Sequence, residues 1–358
     1  FVSVFCSVSA QIQRNVVHII SDDLRPDLGF YGLPDRHTPF LDRLAQDAIV
    51  FDRAYCQQAV CGPSRNSFMS GRRPDSSRSW NFINHFREDH PDWTSLPGLF
   101  LEAGGLAFAA GKTYHPKLPP LYDGNKSWSP EALPYSNPCI NTADWPNFKF
   151  QDGGLPCVFC PADIKHYLFR KNLSVVNEFC SLDAIEDSLS VDRAIELLKN
   201  AVSSKKPFYL ALGMHKPHLP WQASQEDFDQ HPIEKIDLPK NPLPPKDMPD
   251  IAFHFTDGDS HQSPWQPIPD DGVRTARRAY RATVTGMDRK IGRFVKAMED
   301  LGVANNTAII FHSDHGWQLG EHGEWRKMTN FELGTRVPLF IRAPWLTKGR
   351  GGRSSALV

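Results

Sequence analysis

The sequence predicts an α/β fold built on a large, mainly parallel central sheet flanked by helices, and three observations carry that expectation. Four short, almost continuously apolar runs, "NVVHII", "LAFAA", "PFYLAL" and "AIIFH", have the length and composition of strands buried on both faces. Segments with helical periodicity alternate with them, as crossover connections in a parallel sheet require. Each run is followed at once by polar groups: Ser21-Asp22-Asp23, Gly111-Lys112 with His115, His215-Lys216-Pro217-His218, and Ser313-Asp314-His315. Ligands bind beyond the carboxyl ends of parallel strands, so these four clusters are expected to meet at one site.

The 358 residues are 40% hydrophobic and 23% charged, the balance of a globular chain. A formal net charge of −1 offers no bulk attraction to nucleic acid or to anionic membranes, so an acidic ligand has to be met by a local cluster of cations.

In chain order, "FVSVFCSVSAQ" reads as the end of a signal peptide over residues 1–10, which removes Cys6 and directs the protein to the lysosome or to secretion. The stretch is too short to span a membrane, and no other segment reaches that length. Sequons at Asn125, Asn172 and Asn305 agree with a secretory route. Residues 11–345 read as the main domain. Thr38-Pro39 opens a helix with an N-cap and a first-turn proline, continuing through Leu41, Leu44, Ala45 and Ala48. "AVCGPSRNSF", residues 59–68, fits a loop-to-helix junction, with Pro63 in the first turn and Gly71 as the stop. That places Cys61 at a helix N-terminus, where unpaired N–H groups favour an anion and Arg65 folds back over the same face.

Further helices are expected from about Asp187 to Ala201 and from about Arg274 to Leu301. The second carries Tyr280, Val284, Met287, Ile291, Phe294 and Met298 on one face. Residues 219–272, with "LPKNPLPPKDMPD", read as a proline-rich surface excursion bordering the pocket, and 346–358 as the start of a linker or processing region.

Seven cysteines are present. Cys139, Cys157, Cys160 and Cys180 suggest one or two disulfides, with three connectivities if all four pair; "CVFC" at 157–160 has a zinc or redox site as its alternative. For Cys61 the plain alternative is a disulfide with Cys56 across a tight loop.

The pattern Cys-x-Pro-x-Arg at Cys61, Pro63 and Arg65 resembles the signature of the sulfatase family. "DDLRPDLGFYG" (22–32), "GRRPD" (71–75), "GKTYHP" (111–116), "HKPHLP" (215–220) and "SDHGWQLGEHGEWRK" (313–327) follow in that family's order, so the resemblance covers about residues 15–345. It implies an alkaline-phosphatase-like sandwich whose smaller C-terminal subdomain is largely missing from this chain, or is a separate chain of the same precursor. Cys61 would be oxidised to formylglycine by the formylglycine-generating enzyme. Asp22, Asp23, Asp314 and residue 61 would hold Ca2+, with His315 where many members have Asn, although imidazole is a poor calcium ligand. One hydroxyl of the aldehyde hydrate attacks sulfur, and the second lets the covalent sulfate leave.

On the same resemblance, Arg65 and Lys112 hold hydrate and sulfate oxygens, and His115 takes the hydrate proton. His218 and Lys327 face the leaving oxygen, one of them protonating it. His215, Lys216 and Trp317 are further substrate contacts, Cys139 pairs with Cys160, and Cys157 is left for Cys180. The implied substrate is a sulfated glycosaminoglycan, at the 2-O-sulfate of terminal iduronate in dermatan sulfate and heparan sulfate. Two other readings stay open: a sulfatase for aryl or other sugar sulfates, and a non-catalytic glycosaminoglycan-binding protein with unmodified Cys61.

Overall fold

The computed structural model describes residues 14–116, 118–130, 185–219, 221, 223–253, 268–347 and 351–358. Nine strands are present among them: β1 (Asn15–Asp22), β2 (Ile49–Tyr55), β3 (Leu106–Gly111), β4 (Phe208–Pro217), β5 (Thr307–Ser313), β6 (Gln318–Leu319), β7 (Trp325–Arg326), β8 (Arg336–Arg342) and β9 (Gly352–Leu357). Seven form one sheet in the order β3-β4-β1-β5-β8-β2-β9, while β6 and β7 make a small hairpin. The four apolar runs are β1, β3, β4 and β5, side by side and parallel. Their carboxyl ends therefore lie along one edge, as expected.

The rest of the sheet is less regular. Strand β8 runs antiparallel to β5 and β2, and β9 pairs parallel with β2 at the sheet edge. Residues 352–357, expected to belong to a linker, thus extend the sheet. "GRSSAL" has no β-branched or aromatic residue to announce a strand; its order comes from backbone pairing with Ile49–Arg53.

Side chains alternate between two cores even though both faces are covered. Val17, Ile19, Leu210, Leu212, Phe108 and Phe311 pack with the helices α1 (Pro39–Gln46), α3 (Ile185–Ser204) and α4 (Asp270–Asp300). Ile20, Ala107, Ala109, Tyr209 and Ala211 face the other way, with Met69 of α2 (Cys61–Ser70). All six residues proposed for the inner face of α4 are buried.

Thr38 does not cap α1: its side chain makes no bond to the helix N–H groups. It accepts from Gly29 N at 3.1 Å and donates to Asp42, while the Asp288 carboxylate of α4 accepts from Phe40 N at 3.0 Å and Leu41 N at 2.7 Å. The stronger acceptor, a carboxylate brought by tertiary packing, takes the helix terminus.

The proline-rich excursion is also more than surface. Ser224 and Asp227 form a capping box, Trp221 packs edge-on against Tyr280 and Trp317, and Trp221 and Ile236 are buried. Residues 254–267 of that stretch, the signal-peptide residues, Asn172 and the cysteines at 139, 157, 160 and 180 lie outside the described residues. Asn125 and Asn305 are exposed. Among the described residues no helix is long and apolar enough to cross a membrane.

Candidate active site

The strand ends deliver the site's charged groups. Asp22 closes β1, and Asp23 follows in the left-handed region (φ 65°), which turns its carboxylate back toward the sheet edge. Its N–H donates to Asp314 Oδ1 at 3.2 Å, and Asp314 N donates to Ser21 O, so the ends of β1 and β5 hold each other. Lys112 crosses the end of β4 because two glycines permit it. A Cβ on Gly111 would lie 2.1 Å from Gly213 O, and one on Gly213 would lie 2.1 Å from the Lys112 backbone. The backbone bond from Lys112 N to Gly213 O, 2.9 Å, closes that crossing.

Helix α2 presents Cys61 and Arg65. Val60 at its N-cap supplies no side-chain acceptor, so the first N–H groups stay directed at the site, and Gly71 ends the helix in the left-handed conformation as the sequence predicts. Cys61 and Cys56 are both free thiols, which removes the Cys56–Cys61 disulfide alternative.

Around Cys61 Sγ the groups converge. Lys327 Nζ is 2.9 Å away, His315 Nε2 3.2 Å and Asp22 Oδ1 3.4 Å. Lys327 also binds Asp23 Oδ1 at 2.8 Å, Lys112 pairs with Asp22, and Arg65 Nε donates to Asp314 Oδ2 at 2.9 Å. Arg65 reaches the Lys112 and Thr113 carbonyls as well, tying α2 to the end of β3. His218 Nδ1 donates to Leu219 O at 2.6 Å, which leaves Nε2 facing Asp23 at 4.0 Å.

The remaining candidates stand further out. His115 bonds the Pro116 carbonyl and lies against Phe82, reaching the cluster through its field. His215 and Lys216 have backbone N–H groups fixed by the buried Asp187 carboxylate. Their side chains bond the Leu219 and His218 carbonyls, and His215 also faces Glu186, so they brace the loop that carries His218. Trp317 lies under the Lys327 ammonium, 5.5 Å from ring centre to Nζ.

Burial and charge drive the paired carboxyls apart. Burial pushes Asp22 up, but Lys112, with His218, Arg65 and Lys327, outweighs it and holds the group well below the usual range. At Asp23 burial prevails over Lys327, with the charge of Asp22 adding to it, and the carboxyl lies well above that range. Lys112 and Lys327 are held above the ordinary lysine value: burial opposes their charge, and Asp22 and Asp23 respectively outweigh it. Burial and then Lys112 lower both histidines, His218 strongly and His115 to about 4, so both are neutral near pH 7. Burial and Asp22 raise the Cys61 thiol, with Lys112 and Lys327 opposing.

The donor set could hold a metal ion, with three carboxylates beside imidazole and thiol groups. One ligand atom each from Asp22, Cys61, Asp314 and His315 lie within 4.8 Å of one another, as do those of Asp22, Asp23, Cys61 and His218. Asp23 Oδ2 is buried and accepts no hydrogen bond, leaving a carboxyl oxygen for a ligand. His315 Nδ1 donates to Gly316 O at 3.0 Å, so its Nε2 lone pair turns into the cluster.

One buried network was invisible in the sequence. His312 Nδ1 must donate to Ser313 O (2.8 Å), so its Nε2 accepts from His18 Nε2 (2.6 Å), and His18 Nδ1 accepts from the Tyr209 hydroxyl (2.6 Å). Burial first, then the facing His312, lowers the pKa of His18 and keeps it neutral. Phe68, one turn after Arg65, packs edge-on against both rings, so this chain supports α2 and the approach to Asp314 together. The nearest sequence signal was a histidine inside each of two apolar runs, which alone distinguishes nothing.

Comparison with known proteins bears on this arrangement. Iduronate 2-sulfatase of Mus musculus is 37% identical over 349 residues, covering 95% of this chain and 61% of that protein. The Homo sapiens protein is 38% identical over 346 residues, with 93% and 60% covered. The chain thus spans about 60% of the length of these relatives. Among solved structures, a phosphonate monoester hydrolase from Silicibacter pomeroyi superposes with a TM-score of 0.69 at 24% identity, over 96% of this chain and 70% of that one, a likeness of fold. The sulfatase family model matches residues 14–357, a span that contains every strand of the sheet and every group around Cys61, and the chain therefore belongs to the sulfatase family.

Proposed function

We propose that this protein hydrolyses sulfate esters with formylglycine at position 61, and that its substrate is the 2-O-sulfate of terminal iduronate in dermatan sulfate and heparan sulfate. The observation that carries the reading is the convergence on Cys61 Sγ of Lys327, His315 and Asp22, at 2.9, 3.2 and 3.4 Å, from the 313–327 segment and the end of β1, both far from Cys61 in sequence. The name of the two mammalian relatives supports the sugar.

A divalent cation held there, Ca2+ on the carboxylate oxygens of Asp22, Asp23 and Asp314, would supply Lewis-acid polarisation of sulfate oxygens, and formylglycine would supply a hydrated aldehyde as nucleophile. Asp22, Asp23, Asp314 and the His315 Nε2 lone pair would hold the cation. Lys112, paired with Asp22, and Lys327, 2.9 Å from Cys61 Sγ, place two ammonium groups near residue 61, where they would neutralise sulfate charge. Arg65 spans Asp314 and the Lys112 carbonyl and keeps α2 in register with both strand ends. The proton for the departing sugar oxygen comes from one of the two groups that face it: the Lys327 ammonium, whose burial is outweighed by Asp23 so that it stays charged, or His218 Nε2, whose imidazole is held neutral near pH 7 and has to be protonated first. His115 takes the proton in the second half-reaction.

Delivery to the lysosome or secretion, glycosylation at Asn125 and Asn305, and maturation by the formylglycine-generating enzyme complete the reading. Its test is sulfate release from a disaccharide with a non-reducing terminal 2-sulfated iduronate, with an aryl sulfate in parallel, using full-length protein from a secretory host. Release from the disaccharide supports chemistry and sugar together. Release from the aryl ester alone retains the chemistry and removes the sugar. Release from neither, with an aldehyde verified at residue 61, removes both.

A further inference from the structure

The rim beside Cys61 carries an apolar loop that the reaction scheme does not use. Trp80, Phe82 and Ile83 are 49%, 41% and 75% exposed, three large apolar side chains within four residues. The loop is nonetheless pinned. Asn81 Oδ1 accepts from Ile83 N at 2.8 Å and Asn84 N at 2.9 Å, Gln58 Nε2 donates to Trp80 O at 3.0 Å, and Trp80 Nε1 donates to Asp75 at 3.1 Å.

Phe82 is the member that faces the reaction centre. A Cβ on Gly62, the residue after Cys61, would lie 3.0 Å from Asn81 O and 3.3 Å from Phe82 Cδ1, so the missing side chain at 62 is what lets the loop close onto the first turn of α2. On the other side the His115 ring is 4.8 Å from Phe82, centre to centre. The ring is thus wedged between the neighbour of Cys61 and His115, with two-fifths of its surface open. The groups that meet Cys61 Sγ are an ammonium, a carboxylate and an imidazole, and they suit the sulfate and the cation. They offer nothing to the C–H face of the sugar ring that must sit next to the ester. A pocket of this kind takes its orientation from few polar groups and its contact area from apolar ones.

We propose that Phe82 is a specificity-determining residue: its exposed ring face is the platform for the pyranose that carries the scissile ester, and Gly62 sets its distance from residue 61. The proposal rests on the sulfate-ester reading above. Aromatic rings provide rigid, flat contact area at small entropic cost, which suits an exo-acting enzyme that must hold one terminal sugar.

The test compares the KM for the 2-sulfated iduronate disaccharide with the inhibition constant of inorganic sulfate, which occupies the sulfate subsite alone. F82A is expected to raise the KM about 10- to 50-fold with the sulfate inhibition constant moving less than twofold. F82L, which keeps apolar volume without a flat face, should also raise KM, and F82W should restore it. An unchanged KM in F82A and F82L overturns the proposal, as does a parallel rise in both constants, which would make Phe82 a support of the sulfate subsite. Failure of the parent protein to release sulfate from the disaccharide shows before any variant is made, and it removes the underlying reading instead.

Discussion

Arg65 Nε and Asp314 Oδ2 meet at 2.9 Å with both side chains completely buried, joining the helix that carries Cys61 to the strand end that carries the acidic cluster. The guanidinium also lies 3.6 Å from Asp22 and bonds two carbonyls after β3, so one residue references three elements to each other. Planar, forked donors are needed for that; a lysine has one point of contact.

Replacing Arg65 should therefore harm both stability and rate. R65A is expected to cost about 3–5 kcal/mol, because Asp314 and Asp22 are left buried with less compensation. R65K is expected to remain folded but lose about 10²-fold or more in kcat/KM. Thermal unfolding and steady-state kinetics on the two variants check this.

The division of labour between His218 and Lys327 has a leaving-group signature. With His218 Nε2 as proton donor, H218A should lose about 10²–10⁴-fold on a sugar sulfate and much less on a nitrophenyl sulfate, whose oxygen departs without help. K327A should reduce both to a similar extent if Lys327, which bonds Asp23 and lies 2.9 Å from Cys61 Sγ, acts on the sulfate and not on the leaving oxygen. Equal losses on the two esters in H218A would transfer the proton-donor role away from His218.

Removal of the divalent cation should abolish turnover and lower the unfolding temperature, because the three carboxylates are then held without it. D23N is expected to weaken cation affinity by about 10-fold or more, since Asp23 Oδ2 accepts no other bond. Isothermal titration of the chelated protein with Ca2+ reads the affinity directly, independent of activity.

A second buried network is expected to contribute to acid stability. Glu321 accepts from Arg25 at 3.0 Å and Arg277 at 2.8 Å; burial raises its pKa, but Arg25 and Arg277 outweigh it and depress it to about 2. A depressed carboxyl contributes fully above its unfolded value near 4.5, and the contribution vanishes as pH falls toward 2. That contribution is about 3 kcal/mol at most. The parent should lose thermal stability steeply between pH 4.5 and 2, and E321Q, less stable throughout, should show a shallower slope over that window.

Asp22, Asp23, Lys112 and Asp314 stand where apolar runs end, a boundary that periodicity announces, whereas the choice of Cys61, Arg65, His315 and Lys327, and the roles of all eight, rest on motifs that resemble the sulfatase family. β2, β8 and β9 were not read because they are short, mixed in polarity or made of small residues, and they exist through pairing with neighbours far away in sequence. The Asp288 cap on α1, the core position of Trp221 and the Tyr209–His18–His312 chain were closed to sequence reasoning for the same reason.

The sequence by itself determined the four parallel strands and the principal helices, since local periodicity and local dihedral preference suffice for those, while the residues offered for chemistry rest on the motifs that resemble the sulfatase family. Tertiary structure alone decided which side chains meet. It turned His218 Nε2 toward Asp23, brought Lys327 to Cys61, made His215 and Lys216 braces, and let Gly62 admit Phe82 to the rim. Such contacts depend on ångström-scale approach between segments up to hundreds of residues apart, and no local pattern records that distance.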